Sequence, residues 1–334
     1  MRLLILTDHG GHTVNNSLYA IARAMATDER MTEVRVASRS TPANAAWFAC
    51  ATDVDADLRT LTADEDFSFE TAATGFSASE SLFPTPLSWP DAVFLRIPHP
   101  VPETWFVHLR KTFGARPILN APEGIETTTS KAWLLNVPEL CAPMRLCRTA
   151  REIAAFGKIR DAVLKPLRGY GGQGIVRVRD GRVELPTGQV SVTDYEPPAP
   201  VLAVEYTRRV SEGDKRIVVV GGEVLGAVLR VPAAGAWLCN VSQGGHAEPA
   251  TLTPGDARIA KVLDAHMRRL GVVMYGIDTL ADNDGRRVLS EVNTMSIGGL
   301  LDLPPVGGQV APARAARLLI SALLTPSPAL LGRF

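Results

Sequence analysis

One segment limits what this chain can fold into more than any other: residues 275–293, Tyr-Gly-Ile-Asp-Thr-Leu-Ala-Asp-Asn-Asp-Gly-Arg-Arg-Val-Leu-Ser-Glu-Val-Asn. Two mainly apolar runs flank Asp284-Gly285, a dipeptide that favours a two-residue hairpin turn. With that turn Asp278 faces Glu291 across the hairpin, and Asn293, two residues on, shares their face. A four-residue loop from Asp282 to Gly285 shifts the pairing but keeps all three on one face, whereas a three-residue loop breaks the arrangement. Opposed carboxylates repel and destabilise a sheet, so the pattern asks for a compensating cation. Two carboxylates and an amide oxygen are hard ligands suited to Mg²⁺. The bland alternative is a solvated hairpin face. The flanking Val272, Val273, Ile277, Val288, Leu289 and Val292 favour a half-buried sheet instead.

A second segment, Lys165-Pro166-Leu167-Arg168-Gly169-Tyr170-Gly171-Gly172-Gln173-Gly174-Ile175, lies between two short strand patterns at 162–165 and 175–178. It lacks the Gly-Lys-Ser/Thr of a P-loop and the helix that follows a dinucleotide-binding loop. It reads as a strand–loop–strand flap. Gly169, Gly171, Gly172 and Gly174 let backbone N–H groups approach phosphate oxygens, and Lys165 adds a cation. A flexible hairpin without a ligand is the alternative. Arg216 follows Gly213-Asp214-Lys215, and Arg230 ends the partner strand of the Gly221-Gly222-Glu223 hairpin. Both arginines suit phosphate contacts and charge stabilisation during phosphoryl transfer. The loop Cys239-Asn240-Val241-Ser242-Gln243-Gly244-Gly245-His246 offers further backbone donors, with His246 read as a solvated loop residue. His9-Gly10-Gly11-His12 follows the first strand, where α/β sheets bind ligands, and reads as a substrate contact or a simple turn.

The remaining chain supplies the frame. Strands are expected at 2–7, 34–37, 91–96 and 117–120, with a helix at 15–26, which together make a parallel α/β layer over roughly the first 120 residues. Residues 50–90, rich in Thr, Ala, Asp and Ser, read as irregular. Residues 129–160 read as two helical pieces broken near Pro138 and Pro143. Strands follow at 201–205, 216–220 and 224–230. Thr253 and Asp256 form a capping box for a helix at 254–269, which Gly271 ends. A last helix is expected at 311–324, and the tail after 325 is expected to be loose. Lys plus Arg and Asp plus Glu number 35 each, so no general positive field attracts nucleic acid or a membrane. No apolar run approaches the ~20 residues that span a bilayer. Four cysteines without a CxxC pair, and an N-terminus without a signal pattern, point to reduced thiols in a cytoplasm.

With these residues in view the chain resembles prokaryotic glutathione synthetase, an ATP-grasp enzyme. The matching phrases are Val163-Leu164-Lys165-Pro166 with its glycine loop, Glu212-Gly213-Asp214-Lys215-Arg216, Asn240 through Gly245, and Asp278 with Glu291-Val292-Asn293. Their order runs from about residue 90 to 300, while the first 90 residues match only in general layout. The resemblance implies an α/β chain, α+β in its C-terminal half, with an N-terminal domain at 1–122, a central lid at 123–202, a C-terminal sheet domain at 203–325 and a tail at 326–334. ATP would lie between the last two domains. Lys131 and Lys165 would contact phosphates or the adenine edge, Glu205 and Tyr206 the adenine, and Asp214 the ribose. Arg216 and Arg230 would hold the transferred phosphate, and Asp278, Glu291 and Asn293 would carry magnesium, with manganese as a substitute. Arg96, Asn120, Asn240, Gly244, Gly245, Ser296 and Gly298 would face substrate. The implied reaction joins a small-molecule or peptide carboxylate to an amine, in an enzyme expected to be a homo-oligomer. Where the family typically reads Asn-Val-Thr-Ser-Pro-Thr, this chain reads Asn293-Thr294-Met295-Ser296-Ile297-Gly298. That change points to an amino acid or peptide other than the glutathione precursor. The Ser and Gly pattern there is somewhat similar to ribosomal-protein glutamate ligases.

Overall fold

The computed structural model describes residues 1–51, 57–169, 172–233, 245–305 and 308–332. The first layer comprises β1 (Arg2–Thr7), α1 (Ser17–Ala26), β2 (Glu33–Ser38), α2 (Ala45–Phe48), β3 (Leu58–Ala63), α3 (Phe69–Ser77), β4 (Phe83–Thr85), β5 (Ala92–Arg96), α4 (Trp105–Phe113) and β6 (Ile118–Leu119). Its sheet runs β4-β3-β2-β1-β5-β6. The strands β2, β1, β5 and β6 are parallel, as expected, because both faces are buried. In β1, Leu3 and Ile5 enter one core while Leu4 and Leu6 enter the other.

Residues 50–90 correct the expectation of irregular structure: β3 and β4 extend the sheet antiparallel at its edge. Between them, α3 starts with a capping box in which Ser68 and Thr71 bond reciprocally. Thr in the place of the usual Glu or Gln hid that start signal. Residues 129–160 are also corrected. After α5 (Pro122–Thr129) come 3₁₀ turns at Lys131–Asn136 and Pro138–Leu140, then β7 (Met144–Cys147) and α6 (Ala150–Gly157). Pro138 and Pro143 leave no room for two longer helices.

The middle sheet adds β8 (Ala162–Pro166), β9 (Val176–Arg179), β10 (Arg182–Leu185), β11 (Gly188–Ser191) and β12 (Val201–Glu205), in the order β11-β10-β9-β8-β12-β7. Its core is largely its own, built on Ile153, Leu164, Val178, Val183 and Val201. The third sheet is antiparallel, in the order β15-β14-β13-β16-β17. Its elements are β13 (Asp214–Val220), β14 (Glu223–Val231), β15 (His246–Ala250), α7 (Pro254–Arg269), β16 (Met274–Ala281), β17 (Arg287–Asn293) and α8 (Ala311–Leu324). Along β13, Ile217 and Val219 meet α7 through Leu263 and Met267. Val218 and Val220 join the core shared by α8, α1 and β1. The N-terminal layer and the C-terminal sheet therefore share one hydrophobic core.

Through residue 332 the tail is packed rather than loose. A turn at Pro328–Leu331 buries Ala329 and Leu330, and Arg110 Nη2 donates to the Leu330 carbonyl at 3.2 Å. Asn120 stitches the two halves together. Its Oδ1 accepts from Val273 N and Met274 N at 2.8 and 2.9 Å, and its Nδ2 donates to the Met274 and Thr294 carbonyls at 2.6 Å each.

Candidate active site

The late hairpin is closed differently from the two-residue expectation. Ala281 pairs with Arg287, Asp282 N donates to the Arg286 carbonyl at 2.8 Å, and Asn283, Asp284 and Gly285 form a three-residue tip. Gly285 takes φ +85°, as such a tip requires. Continued without interruption, this register would set Ser290 opposite Asp278. The register shifts between Asp278 and Thr279, so Asp278 faces Glu291 after all and Gly276 faces Asn293. A β-bulge at Ser290 thus restores the carboxylate pair that the turn alone would have broken.

Cross-strand register then brings the charged groups together. Asp278 lies opposite Arg216 in β13, and Asp214 lies opposite Arg230 in β14. Arg216 grips both oxygens of Asp278 through Nε and Nη2, and Arg230 Nη2 reaches Asp278 Oδ2 at 3.0 Å. Arg230 also donates to both oxygens of Asp214, at 2.6 and 2.7 Å. Asn293 Nδ2 is placed 3.2 Å from Asp278 Oδ2. Burial opposes the charge on Asp278, but the two guanidiniums win and hold it well below the usual carboxylate range. Burial, then the Asp278 charge, push Asp214 up to about 6 despite Arg230.

On the facing side, Lys165 Nζ donates to Ser290 Oγ at 3.0 Å and to the Ser290 carbonyl at 3.3 Å. Its ammonium is depressed by burial, with Glu291, Asp278 and Asp214 each pulling the other way, so all three carboxylates act on it. Lys131 Nζ donates to the Gly169 carbonyl at 2.7 Å and lies 3.2 Å from Glu291 Oε1. Four cations thus surround three carboxylates, an excess of positive charge that suits a polyphosphate.

A cleft opens between the middle and C-terminal sheets. Its polar lining includes Lys131, Lys165, Asp214 and Glu291, with Gly169 and Gly172 beside them. Its apolar lining, the slot, comprises Val163, Ile175, Val204, Val210, Leu280 and Leu289, and Glu205 and Tyr206 also line it. The backbone N–H groups of Glu205 and Tyr206 donate to the Pro143 and Asp161 carbonyls, at 2.9 Å each. In the flap, Gly172 and Gly174 adopt φ +77° and +68°, which only glycine tolerates cheaply.

Among the described residues no group of three His, Cys, Asp or Glu converges as a metal site. The donors at the hairpin are instead two carboxylates in register and one amide. That set fits a hard divalent cation, which would draw on Asp278 oxygens now engaged by guanidinium.

The other residues singled out from sequence separate into groups. Arg96 is buried at the end of β5, where Nη2 donates to Ser17 Oγ and to the Ile297 carbonyl at 3.1 Å each. Asn120 is saturated by its four backbone bonds, so its amide has no capacity left for substrate and acts as a clamp. Ser296 takes φ +50°, and the Gly298 carbonyl accepts from Arg216 Nη1 at 3.4 Å. Gly245 lies just before β15. Gly171, Asn240 and Gly244 lie outside the described residues. Sequence reasoning missed Ser290, because a bulge leaves no mark in the alternation of a strand. It also missed Leu280 and Leu289, whose apolar spacing could have flagged a slot floor.

Comparison with known proteins places this geometry. Residues 130–306 match the family model for the prokaryotic glutathione synthetase ATP-grasp domain. A glutathione synthetase of Prochlorococcus marinus (strain MIT 9313) is 37% identical over 206 residues, which is 61% of this chain and 65% of that protein. One from Gloeobacter violaceus is 30% identical over 269 residues, covering 76% of this chain and 78% of the relative. Among solved structures, the D-cycloserine synthetase DcsG superposes with a TM-score of 0.63 at 14% identity, covering 97% of this chain and all of that one (100%). No described helix is long and apolar enough to cross a membrane. The chain belongs to the ATP-grasp ligases, in the prokaryotic glutathione synthetase family.

Proposed function

We propose that this chain uses ATP and a divalent cation, magnesium, to join a substrate carboxylate to an amine through an acyl phosphate. The observation that carries the proposal is the pairing of Asp278 with Glu291 beside Asn293, within one charge cluster with Lys131, Lys165, Arg216 and Arg230. The apolar slot takes the adenine, between Val163 and Val204 on one side and Leu280 and Leu289 on the other. Lys165 and Lys131 meet the phosphates, and the flap glycines present N–H groups over them. Asp278, Glu291 and Asn293 would hold the metal, which when bound neutralises phosphate charge. Arg216 and Arg230 face the oxygens of the transferred group and stabilise charge as the substrate carboxylate attacks. An amine then displaces phosphate from the acyl phosphate. Positioning and charge do the chemistry, with no side-chain nucleophile, and flap closure keeps water out.

The substrate is an amino acid or peptide other than γ-glutamylcysteine. Support comes from Ile297, where the family has Pro. Its side chain is buried (3% exposed) near Gly276, in the core that the N-terminal layer and the C-terminal sheet share. Glutathione synthesis itself is the second reading, favoured by the relatives. An ADP-release screen over amino-acid and dipeptide pairs, with product mass detection, tests both. Turnover of γ-glutamylcysteine with glycine selects the second reading. Release of a stable phosphorylated product, in place of phosphate and an amide, refutes both.

A further inference from the structure

A groove beside the nucleotide cleft is left over from the chemistry above. Its volume is about 510 Å³, within the range of small-molecule sites. One wall is the segment that follows β5 and enters α4, with Pro100, Val101, Pro102 and Phe106. The other walls are α5, with Glu126 and Thr129, and the flap, with Arg168, Gly169 and Gln173. Lining residues held in common set its place. Gly169 and Gln173 also line the nucleotide cleft. His99 and Thr129 also line a narrow crevice shared by Lys131, Glu291 and Asn293. The groove therefore borders both the nucleotide cleft and the proposed metal ligands.

Its lining says what it takes. Pro100 and Pro102 have fixed φ, so the apolar wall is stiff before any ligand arrives. Across from it, Arg168 is exposed on the flap and has no ion pair among the described residues. His99 stays uncharged at neutral pH, pressed to about 4 by burial, then by Arg168 and Arg39. Arg168 is thus the one cation among the described lining residues. The exposed Glu103 and Glu126 add negative charge, which disfavours a ligand with an acidic side chain. A stiff apolar wall facing a single guanidinium matches a molecule with an apolar body and one carboxylate.

We propose that this groove seats the amine substrate and selects an amino acid with a bulky apolar side chain, its carboxylate paired with Arg168. This rests on the ligase reading, in which that amine displaces phosphate from the acyl phosphate. Glycine would leave the wall of Pro100, Val101 and Pro102 bare, so the selectivity runs opposite to that of glutathione synthesis. Pairing with Arg168 also ties the flap to the N-terminal layer. Arrival of the amine then favours closure at the stage when water must be kept from the acyl phosphate.

The test is thermal unfolding of the whole chain with magnesium and ADP present, titrated with L-leucine, with glycine and with isopentylamine, which is leucine without its carboxylate. Leucine at ~10 times its Kd raises the Tm by about 3 °C. It binds at least about tenfold more tightly than glycine, as half-burying a leucyl side chain requires. Arg168→Gln, at an exposed position, leaves the unliganded Tm unchanged, weakens leucine about tenfold and leaves isopentylamine unaffected. Val101→Asp, which puts charge on the apolar wall, removes the leucine shift. Equal affinity for glycine and leucine overturns the proposal, as does the absence of a leucine shift in the wild type, or a leucine affinity that survives both substitutions. ADP release driven by leucine with no second substrate also overturns it, because leucine would then be the acid. The ligase reading is followed separately, through ADP release across amino-acid and dipeptide pairs, so its failure leaves a different signature from failure of the groove.

Discussion

Replacing Asp256 with Asn should cost about 3 kcal/mol of stability while leaving the chemistry intact. Asp256 has no exposed surface, and its carboxylate accepts from five groups. These are Thr253 N at 2.9 Å, Thr253 Oγ1 at 2.8 Å, Lys215 Nζ at 2.6 Å, Thr279 Oγ1 at 2.9 Å and Arg287 Nε at 3.2 Å. Burial opposes its charge, yet Lys215 and the hydroxyls hold the group at about 2, against an ordinary 3.8. That depression corresponds to about 2 kcal/mol in favour of the folded state. Neutralising Asp256 also leaves Lys215, only 7% exposed, without its counter-ion, which raises the cost toward ~3–5 kcal/mol. The Tm of Asp256→Asn should therefore fall by about 8 °C. The sign with pH follows from a depressed carboxyl. Its contribution is complete above 3.8 and fades as pH falls toward about 2. Urea unfolding of both proteins should show a constant gap from neutral pH to about 5, closing below 4. Equal stability at neutral pH, or a gap unchanged at pH 2, would refute the reasoning. ADP release well below Tm should stay within a few-fold of wild type, because Asp256 anchors β13 and β17 from behind without facing the cleft.

Asp278→Asn should instead keep the fold and reduce ADP release by about 10³-fold, since it removes charge at the phosphate end; near-normal turnover would remove the metal assignment. Lys165→Met should weaken ATP binding by about tenfold in a fluorescent-nucleotide titration, and unchanged affinity would place the phosphates elsewhere. Gly174→Ala forces a Cβ to 3.1 Å from Pro166 Cγ at φ +68°; it should cost about 1 kcal/mol and slow turnover without abolishing it. His12 and His99 are both pressed to about 4, His12 by burial and Arg96, His99 by burial, Arg168 and Arg39. Their folded forms are neutral, so stability is complete above 6.5 and declines as pH falls to about 4; a urea midpoint flat across that range would count against both assignments.

The hairpin shows what the sequence made legible and what it did not. The residues that must converge, Asp278, Glu291 and Asn293, were readable because the hydrophobic period puts them on one face. The means by which they converge was not. The three-residue tip would have parted the acids, and the bulge at Ser290 reunites them. Neither a tip length nor a bulge follows from local composition when Asp282 to Arg286 is polar throughout. The parallel layer was legible from its continuous apolar strands. β3 and β4 were not, because edge strands with one solvated face dilute the pattern with Thr and Arg. The resemblance implies that Asn120 faces substrate. Its actual work is tertiary: every bond it makes is to backbone of a segment 153 to 174 residues away, which no local reading reaches.

The Asn120 clamp and the common core beneath it also decide what can move. The first and third sheets are bonded and packed into a single anvil, while the middle sheet carries its own interior and meets the others mainly along β7, β12 and the flap. Any closure of the cleft would therefore move one jaw against a fixed pair of sheets, rather than three independent plates. Nucleotide-dependent hydrogen–deuterium protection should concentrate in β8, β9 and the flap between them, with β1, β13 and α8 equally protected whether or not nucleotide is bound.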